Sequence, residues 1–436
     1  MTLLLALAFF GVCALLVWPA VRDPARCFEF PFFMGAAFLG FQGPQVLALL
    51  SDPDAMQPEV LQRGLLMLCL CAAACGLGYR GAPTAAALAW FRPETDWRRL
   101  FHAALVMGAV GAYFFYKVRT HPDYWSSQWT GSILRYSFVA TVGVPAVALC
   151  ALLYLRRPQW ATALALAVAL AGPLPQVVFG RRAMTFTMLL SGALALHIVR
   201  GWRPTRTLLI AGTLAGVLFI FAIPAYRAAL EDREVTLAEL AKIDLGAGLA
   251  REAAGAGDNA SETEYGFHLM QAATESGRWE YGSLFWNQVV GFYIPAQFVG
   301  RERKEALLLE FGAEPDSTEL RSAVELQLTT GLTLTGAYTA YKQFWFFGAL
   351  LFALYARFYR YFWEVAKSPG YPVATMIYPA MVVHGMHLVT HHVAWASSQF
   401  VFFAACAFAT YLYARKAPDS MRVRETPARA RRAVPA

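Results

Sequence analysis

Pro173-Leu174-Pro175-Gln176-Val177-Val178-Phe179-Gly180-Arg181-Arg182-Ala183-Met184-Thr185 is the stretch on which the reading of this chain turns. Apolar runs at 161–178 and 183–199 flank its arginine pair, and each is just long enough to cross a bilayer. An arginine pair in a hairpin tip is ordinary on the cytoplasmic side of a membrane. The charge pattern of the other loops puts this tip on the opposite side, where basic residues are scarce.

Composition agrees with a membrane solvent. Of 436 residues, 58% are hydrophobic and only 15% charged, whereas a soluble domain carries about a quarter charged residues. The net charge of +8 is segregated: 226–333 holds 18 Asp/Glu against 9 Lys/Arg, and the rest is strongly basic. Basic loops plus one acidic external segment account for this, and nucleic-acid binding does not. All seven cysteines lie in or beside apolar runs, which argues against a disulfide framework. Cys69, Cys71 and Cys75 read as a small-residue helix face for close packing rather than a metal site, since no His or acid joins them. No base precedes the first apolar run, so the N-terminus reads as an uncleaved first span, not a signal peptide.

Hydropathy predicts an all-α, polytopic transmembrane bundle of about eleven spans. They fall at 2–20, 29–50, 61–79, 99–117, 135–155, 161–178, 183–199, 207–224, 336–357, 371–390 and 395–414. Arg22 and Arg26, Arg80 and Arg92, Arg156 and Arg157, Arg200 and Arg203, Arg357 and Arg360, and the tail from Arg415 all occupy alternate loops. Those loops are expected to be cytoplasmic, with the N-terminus outside and the C-terminus inside. The domains are then spans 1–8 over 1–225, an external loop over 226–333, spans 9–11 over 334–414 and a basic tail over 415–436. Ala85–Phe91 is too short to span and reads as interfacial. Within the external loop, Ser261-Glu-Thr-Glu264 is a capping-box pattern that opens a helix running toward Glu275. Tyr281–Pro295 is aromatic-rich and suited to a membrane surface.

Basic residues on the outer side are the informative ones. Lys117, Arg119 and Arg135 read first as helix-end anchors. Arg181 and Arg182 favour a functional reading, because Pro173, Pro175 and Gly180 interrupt the helix and let the tip dip below the interface. Arg227, beside Tyr226, stands between the two readings. Arginine forks match phosphate oxygens, and a low dielectric strengthens the pairing. His384, His387 and His391, at i, i+3 and i+7, share a helix face, and His392 follows. They are either an interfacial stripe, a proton-handling or phosphate-contacting group, or a His-only metal site. His268 reads as a packed helix residue or a base. Glu231, Asp232, Glu234, Glu262 and Glu264 read as a solvated face, and Asp52-Pro-Asp54 as coincidence. No Walker loop, nucleophile elbow, zinc-type cysteine spacing or HExxH motif is present.

Gly180-Arg181-Arg182 between two spans, a single large late external loop, Tyr281-Gly282-Ser283, Ile294-Pro295 and Gly331-Leu-Thr-Leu-Thr-Gly336-Ala-Tyr338 form a recognisable series, followed by Phe344-Trp-Phe-Phe-Gly348. Over 170–365 the layout resembles the Wzy-type oligosaccharide repeat-unit polymerases of O-antigen, capsule and exopolysaccharide synthesis. It departs from them where Ala296 follows Ile294-Pro295 and where Lys304 precedes Glu305 rather than proline. The resemblance implies a glycosyltransferase of the bacterial inner membrane, without metal or cofactor. It would transfer a glycan block from an undecaprenyl-pyrophosphate donor, with chain-length regulator and flippase partners. The catalytic candidates are then Arg181, Arg182, Arg227, His384, His387 and His391, and the substrate-binding ones Tyr226, His268, Arg301, Arg303 and Tyr338. Trp279, Trp286 and Tyr293 are either sugar-stacking or interfacial residues. The alternatives are an O-antigen ligase-like transferase, a transporter or flippase for a lipid-linked or anionic solute, and a non-catalytic scaffold.

Overall fold

The computed structural model describes residues 1–52, 56–81, 95–125, 132–178, 182–216, 262–294, 296–309, 334–368 and 370–416. The expectations for Ala85–Phe91, Arg181, Tyr226, Arg227, the acids near 231–234 and the basic tail beyond 416 lie outside them. The described chain is 85% helical with no strand, and eight of its helices are long and apolar enough to span a membrane.

Helix α1, Thr2–Arg22, buries Ala6, Phe9, Cys13, Leu16 and Ala20 at helical spacing and turns Leu3, Leu7 and Leu15 outward. An apolar outer face is what lipid contact requires. Helix α2, Phe30–Ser51, passes through a π-turn at Phe38–Gln42. Pro44 has no amide hydrogen to continue the ladder, and the wider turn ahead of it takes up the mismatch. Helix α3, Pro58–Gly78, packs by its small residues, as its cysteine spacing predicts. Cys71 and Cys75 are fully buried, the Cys69 thiol reaches the Leu5 carbonyl at 3.3 Å, and a Cβ on Gly78 would strike the Ala353 backbone.

Helix α4, Trp97–Arg119, begins at an Asp96 cap, whose carboxylate accepts from the Arg98 amide at 2.8 Å. It packs on α5, Arg135–Arg156, where Gly111 and Gly143 bring the two backbones together. The expected span at 161–178 divides at Gly172 into α6, Trp160–Ala171, and α7, Pro173–Val178. Helix α8, Arg182–Arg200, begins on the second arginine of the pair, and residues 206–216 are helical.

The segment between residues 226 and 333 contains the anticipated helix as α9, Glu262–Ser276, then α10, Ser283–Tyr293. The single span expected at 336–357 is instead two helices, α11, Gly336–Phe344, and α12, Ala349–Ala366. The chain reverses at Trp345, which takes φ of 53°, and Gly348 then lies against the Ala340 carbonyl, closer than any Cβ would allow. Lys342 and Gln343 explain why α11 is not a lipid-facing span: both are polar, and both are buried in protein. Helices α13, Pro372–Thr390, and α14, Trp395–Ala414, complete the bundle.

Contacts among the basic loops gather them at one end. The Arg357 guanidinium donates to the Arg80 carbonyl, Arg206 to the Arg22 carbonyl, and the Asp96 amide to the Ala414 carbonyl at 2.7 Å. The opposite end holds α9, α10, α11 and the α13–α14 turn. There the Gln42 side chain donates to the Val389 carbonyl, and the Thr263 amide donates to Gln45 at 2.9 Å.

Candidate functional site

Helix α13 delivers its histidines to this second end. Because a carbonyl only accepts, the 2.7 Å contact between His384 Nδ1 and the Ala380 oxygen puts the proton on Nδ1 and leaves Nε2 as the acceptor of the neutral ring. From His384 a column of rings continues outward. Centroids are 5.3 Å apart between His384 and His387, 4.6 Å between His387 and His391, and 5.9 Å between His391 and Trp395. Phe403 packs beside His384. The buried Nδ1 of His387 has no hydrogen bond among the described residues, whereas Thr390 Oγ1 lies 2.8 Å from His391 Nδ1. Spacing along the helix therefore does place the first three histidines together.

Helix α10 packs against the end of this column. Gln288 Nε2 of α10 lies 3.3 Å from His392 Nε2, and Phe292 packs edge-on against Trp395. Burial holds His392 below the ordinary imidazole range, so its neutral form is favoured. The turn bearing His391 and His392 is fixed from two sides. The Val393 amide donates to Thr339 Oγ1 of α11 at 2.9 Å, and the Tyr355 hydroxyl of α12 donates to the Val393 carbonyl at 3.1 Å.

A second polar group at this end was not singled out from the sequence. Lys342 Nζ and Glu280 Oε1 are 2.8 Å apart with side chains only 5% and 15% exposed. Gln343, fully buried, donates to Glu280 and accepts from the Gly282 amide at 2.9 Å. Backbone bonds from Glu280 to the Lys342 carbonyl and from Tyr281 to the Gln343 carbonyl seal the turn against α11. Tyr281 and Gly282 adopt φ of 47° and 91° to make that turn. The signal that could have found Lys342 was a lone base in an otherwise aromatic run, where an ionised group needs a partner.

The remaining candidates are dispersed. Arg182 opens α8 at the end away from the basic loops, since His197 in the last turn of α8 stacks on Phe28 at the basic end. His268 is half-buried on α9, and burial lowers its pKa. Tyr338 is 2% exposed, a core residue of α11. Arg301 pairs with Glu305 at 2.8 Å and, like Arg303, stands exposed on the short helix Arg301–Ala306. Lys304 anchors that helix by donating to the Gly291 carbonyl. Trp286 donates to the Leu307 carbonyl and Trp279 packs on Tyr341, so both have structural contacts. Glu262 and Glu264 occupy the first turn of α9, where the helix dipole favours acids.

Chemically, a column of imidazoles with one defined acceptor nitrogen can take a proton from a hydroxyl and hold it away from bulk water. No family model, curated protein or solved structure matches the chain.

Proposed function

We propose that this chain is a polymerase of lipid-linked oligosaccharide repeat units, working on the outer face of a bacterial inner membrane. The observation that carries the reading is spatial. Tyr281-Gly282 and Gln343-Phe344, 61 residues apart between Gly282 and Gln343, are bonded into one turn, and the same α11 holds the histidine turn through Thr339. Tyr281-Gly282 and the residue preceding the Phe344 run, two parts of the series on which the resemblance rests, are thus joined at the end of the bundle that carries the imidazole column, which supports the reading.

In this reaction an imidazole takes the proton of an acceptor sugar hydroxyl. The freed oxygen forms a bond to the donor's anomeric carbon as the bond from that carbon to the pyrophosphate oxygen breaks. Undecaprenyl pyrophosphate departs with the electron pair, and the glycan is one block longer. Arg181 and Arg182 stabilise the charge growing on the leaving group, since fixed cationic forks in a water-poor site act most strongly on developing charge. Arg227 and Tyr226 join them from the external segment. The end bearing the basic loops is then cytoplasmic, with the C-terminus there and the N-terminus outside.

The test is purified protein in liposomes with an undecaprenyl-pyrophosphate-linked repeat unit, with chelator present and no nucleotide. Chain growth is expected. Transfer only to a different acceptor would make it an O-antigen ligase-like enzyme, and absence of any transfer would overturn the proposal. A transporter is the second reading, favoured by the buried Lys342–Glu280 pair, since such groups mark solute paths in membranes. Movement of the lipid-linked substrate across the liposome without chain growth would select it.

A further inference from the structure

A slot of about 250 Å³ lies between α12 and α14, beside the histidine turn. Leu351 and Leu354 of α12, Phe400 of α14 and Phe285 of α10 line it, with Met381 of α13, the helix on which α12 and α14 both pack. Each hydroxyl in the lining is already committed to the backbone. Tyr355 donates to the Val393 carbonyl at 3.1 Å, Tyr359 to the Met381 carbonyl, and Ser397 to the Ala394 carbonyl at 2.7 Å. No hydroxyl proton is left for an occupant, so the walls offer hydrocarbon and aromatic surface. Water finds no donor there, and an empty slot forfeits the dispersion contacts of its lining. A hydrocarbon restores them.

Shape and position narrow the choice. From Leu351 to Tyr359 the slot follows about 12 Å of α12, at a rise of about 1.5 Å per residue. Spread over that length, its volume leaves room for a single chain. Phe358 and Phe400 meet edge-on with centroids 4.7 Å apart, and they join the two helices at the end away from the histidine turn. Leu354, 66% exposed, marks the side on which the slot opens, and the nearby Leu350 and Val401 are exposed apolar residues too. The slot is therefore blind and opens sideways. Its other end abuts the candidate site: Phe285 stands one turn of α10 before Gln288, the neighbour of His392, and Ala396 and Ser397 lie in the first turn of α14.

We propose that this slot holds the isoprene units nearest the phosphate of a polyisoprenoid carrier lipid. The chain enters sideways between α12 and α14, and its phosphate end emerges beside α10 and the histidine turn. The identity of the occupant rests on the polymerase reading, whereas the hydrocarbon character of the slot does not. A single-chain lipid fits where a diacyl lipid must part its two chains. Flat alkene units also pack well on the rings of Phe285, Tyr355, Phe358 and Phe400.

Photolabelling of the full-length protein in phospholipid nanodiscs tests this, with a sugar-free polyprenyl phosphate that carries a diazirine in its first isoprene unit. Label is expected on the peptides holding Leu354 and Phe400, competed by undecaprenyl phosphate and not by equimolar dioleoyl phosphatidic acid. Leu354→Trp sets an indole across the mouth at an exposed position. It should cut this labelling about tenfold, the worth of two methylene groups withdrawn from an apolar wall. Leu350→Trp, similarly exposed but outside the lining, should label as wild type does. Both variants are first checked by size exclusion, and the labelled positions alone decide should Leu354→Trp misfold. Label spread evenly over α1 and α14, or undiminished in Leu354→Trp, overturns the slot. Equal competition by the dioleoyl lipid overturns the isoprenoid assignment. Because no sugar is transferred, labelling confined to the slot supports it even if chain growth fails, and chain growth without such labelling counts against the slot alone.

Discussion

Thr339 Oγ1 accepts a 2.9 Å hydrogen bond from the Val393 amide, across 54 residues, and so sets the position of the turn carrying His391 and His392. The Thr339 side chain is itself 4% exposed and bonded to the Thr335 and Gly336 carbonyls. Thr339→Val removes the acceptor and leaves a buried amide unpaired, at a cost of about 1–3 kcal/mol. Thermal unfolding in detergent should show the loss, and Thr339→Ser should restore it. Equal behaviour of the two variants would mean that the methyl group, not the hydroxyl, matters.

The Lys342–Glu280 pair is a buried one, so its halves are expected to be worse lost singly than together. Lys342→Met or Glu280→Gln leaves one charge uncompensated, costing about 3–5 kcal/mol. The double variant should recover most of that. A double-mutant cycle on folded fraction measures the coupling, and additive losses would contradict the ion-pair account.

Glycine at 348 is set by contact between backbones. An added methyl would meet the Ala340 carbonyl, and one at Gly336 would meet the Leu388 carbonyl. Gly348→Ala and Gly336→Ala should each cost about 1–3 kcal/mol or more through overpacking, whereas Gly192→Ala, with open space around it, should be silent. Monodisperse yield after heating ranks the three.

Burial depresses the pKa of both His268 and His392. In the folded state each binds a proton less readily than in the unfolded chain, whose histidines titrate at about 6.5. Stability is therefore full above that value and declines as pH falls from it through the folded-state value. His268→Gln and His392→Gln should flatten the decline between neutral and mildly acid pH. An unchanged slope in both variants would assign the acid sensitivity elsewhere.

Arg181→Lys and Arg182→Lys should each reduce chain growth about a hundredfold, the scale of losing one fixed donor to a developing charge, with membrane insertion intact. Lysine keeps the charge and loses the fork. His384→Ala and His391→Ala should differ in severity, because His384 has its tautomer fixed by Ala380 while His391 is bound to Thr390. Equal, mild effects would mark the histidines as anchors.

Sequence by itself determined the helical membrane class, the position of most long helices, the α9 start and the common face of His384, His387 and His391. These follow from local quantities: runs of apolar residues, the alternation of basic loops and a helical period. Only the tertiary structure decided that 336–357 is a reversal rather than a span, because that depended on how closely Gly348 could approach Ala340. It also decided that Lys342 would meet Glu280 and that Thr339 would hold Val393. Such pairings join residues dozens of positions apart, and no local pattern of hydropathy or spacing encodes which distant groups become neighbours. Arg182 opens α8 at the end of the bundle shared with the histidines, and α8 runs from there to the basic end.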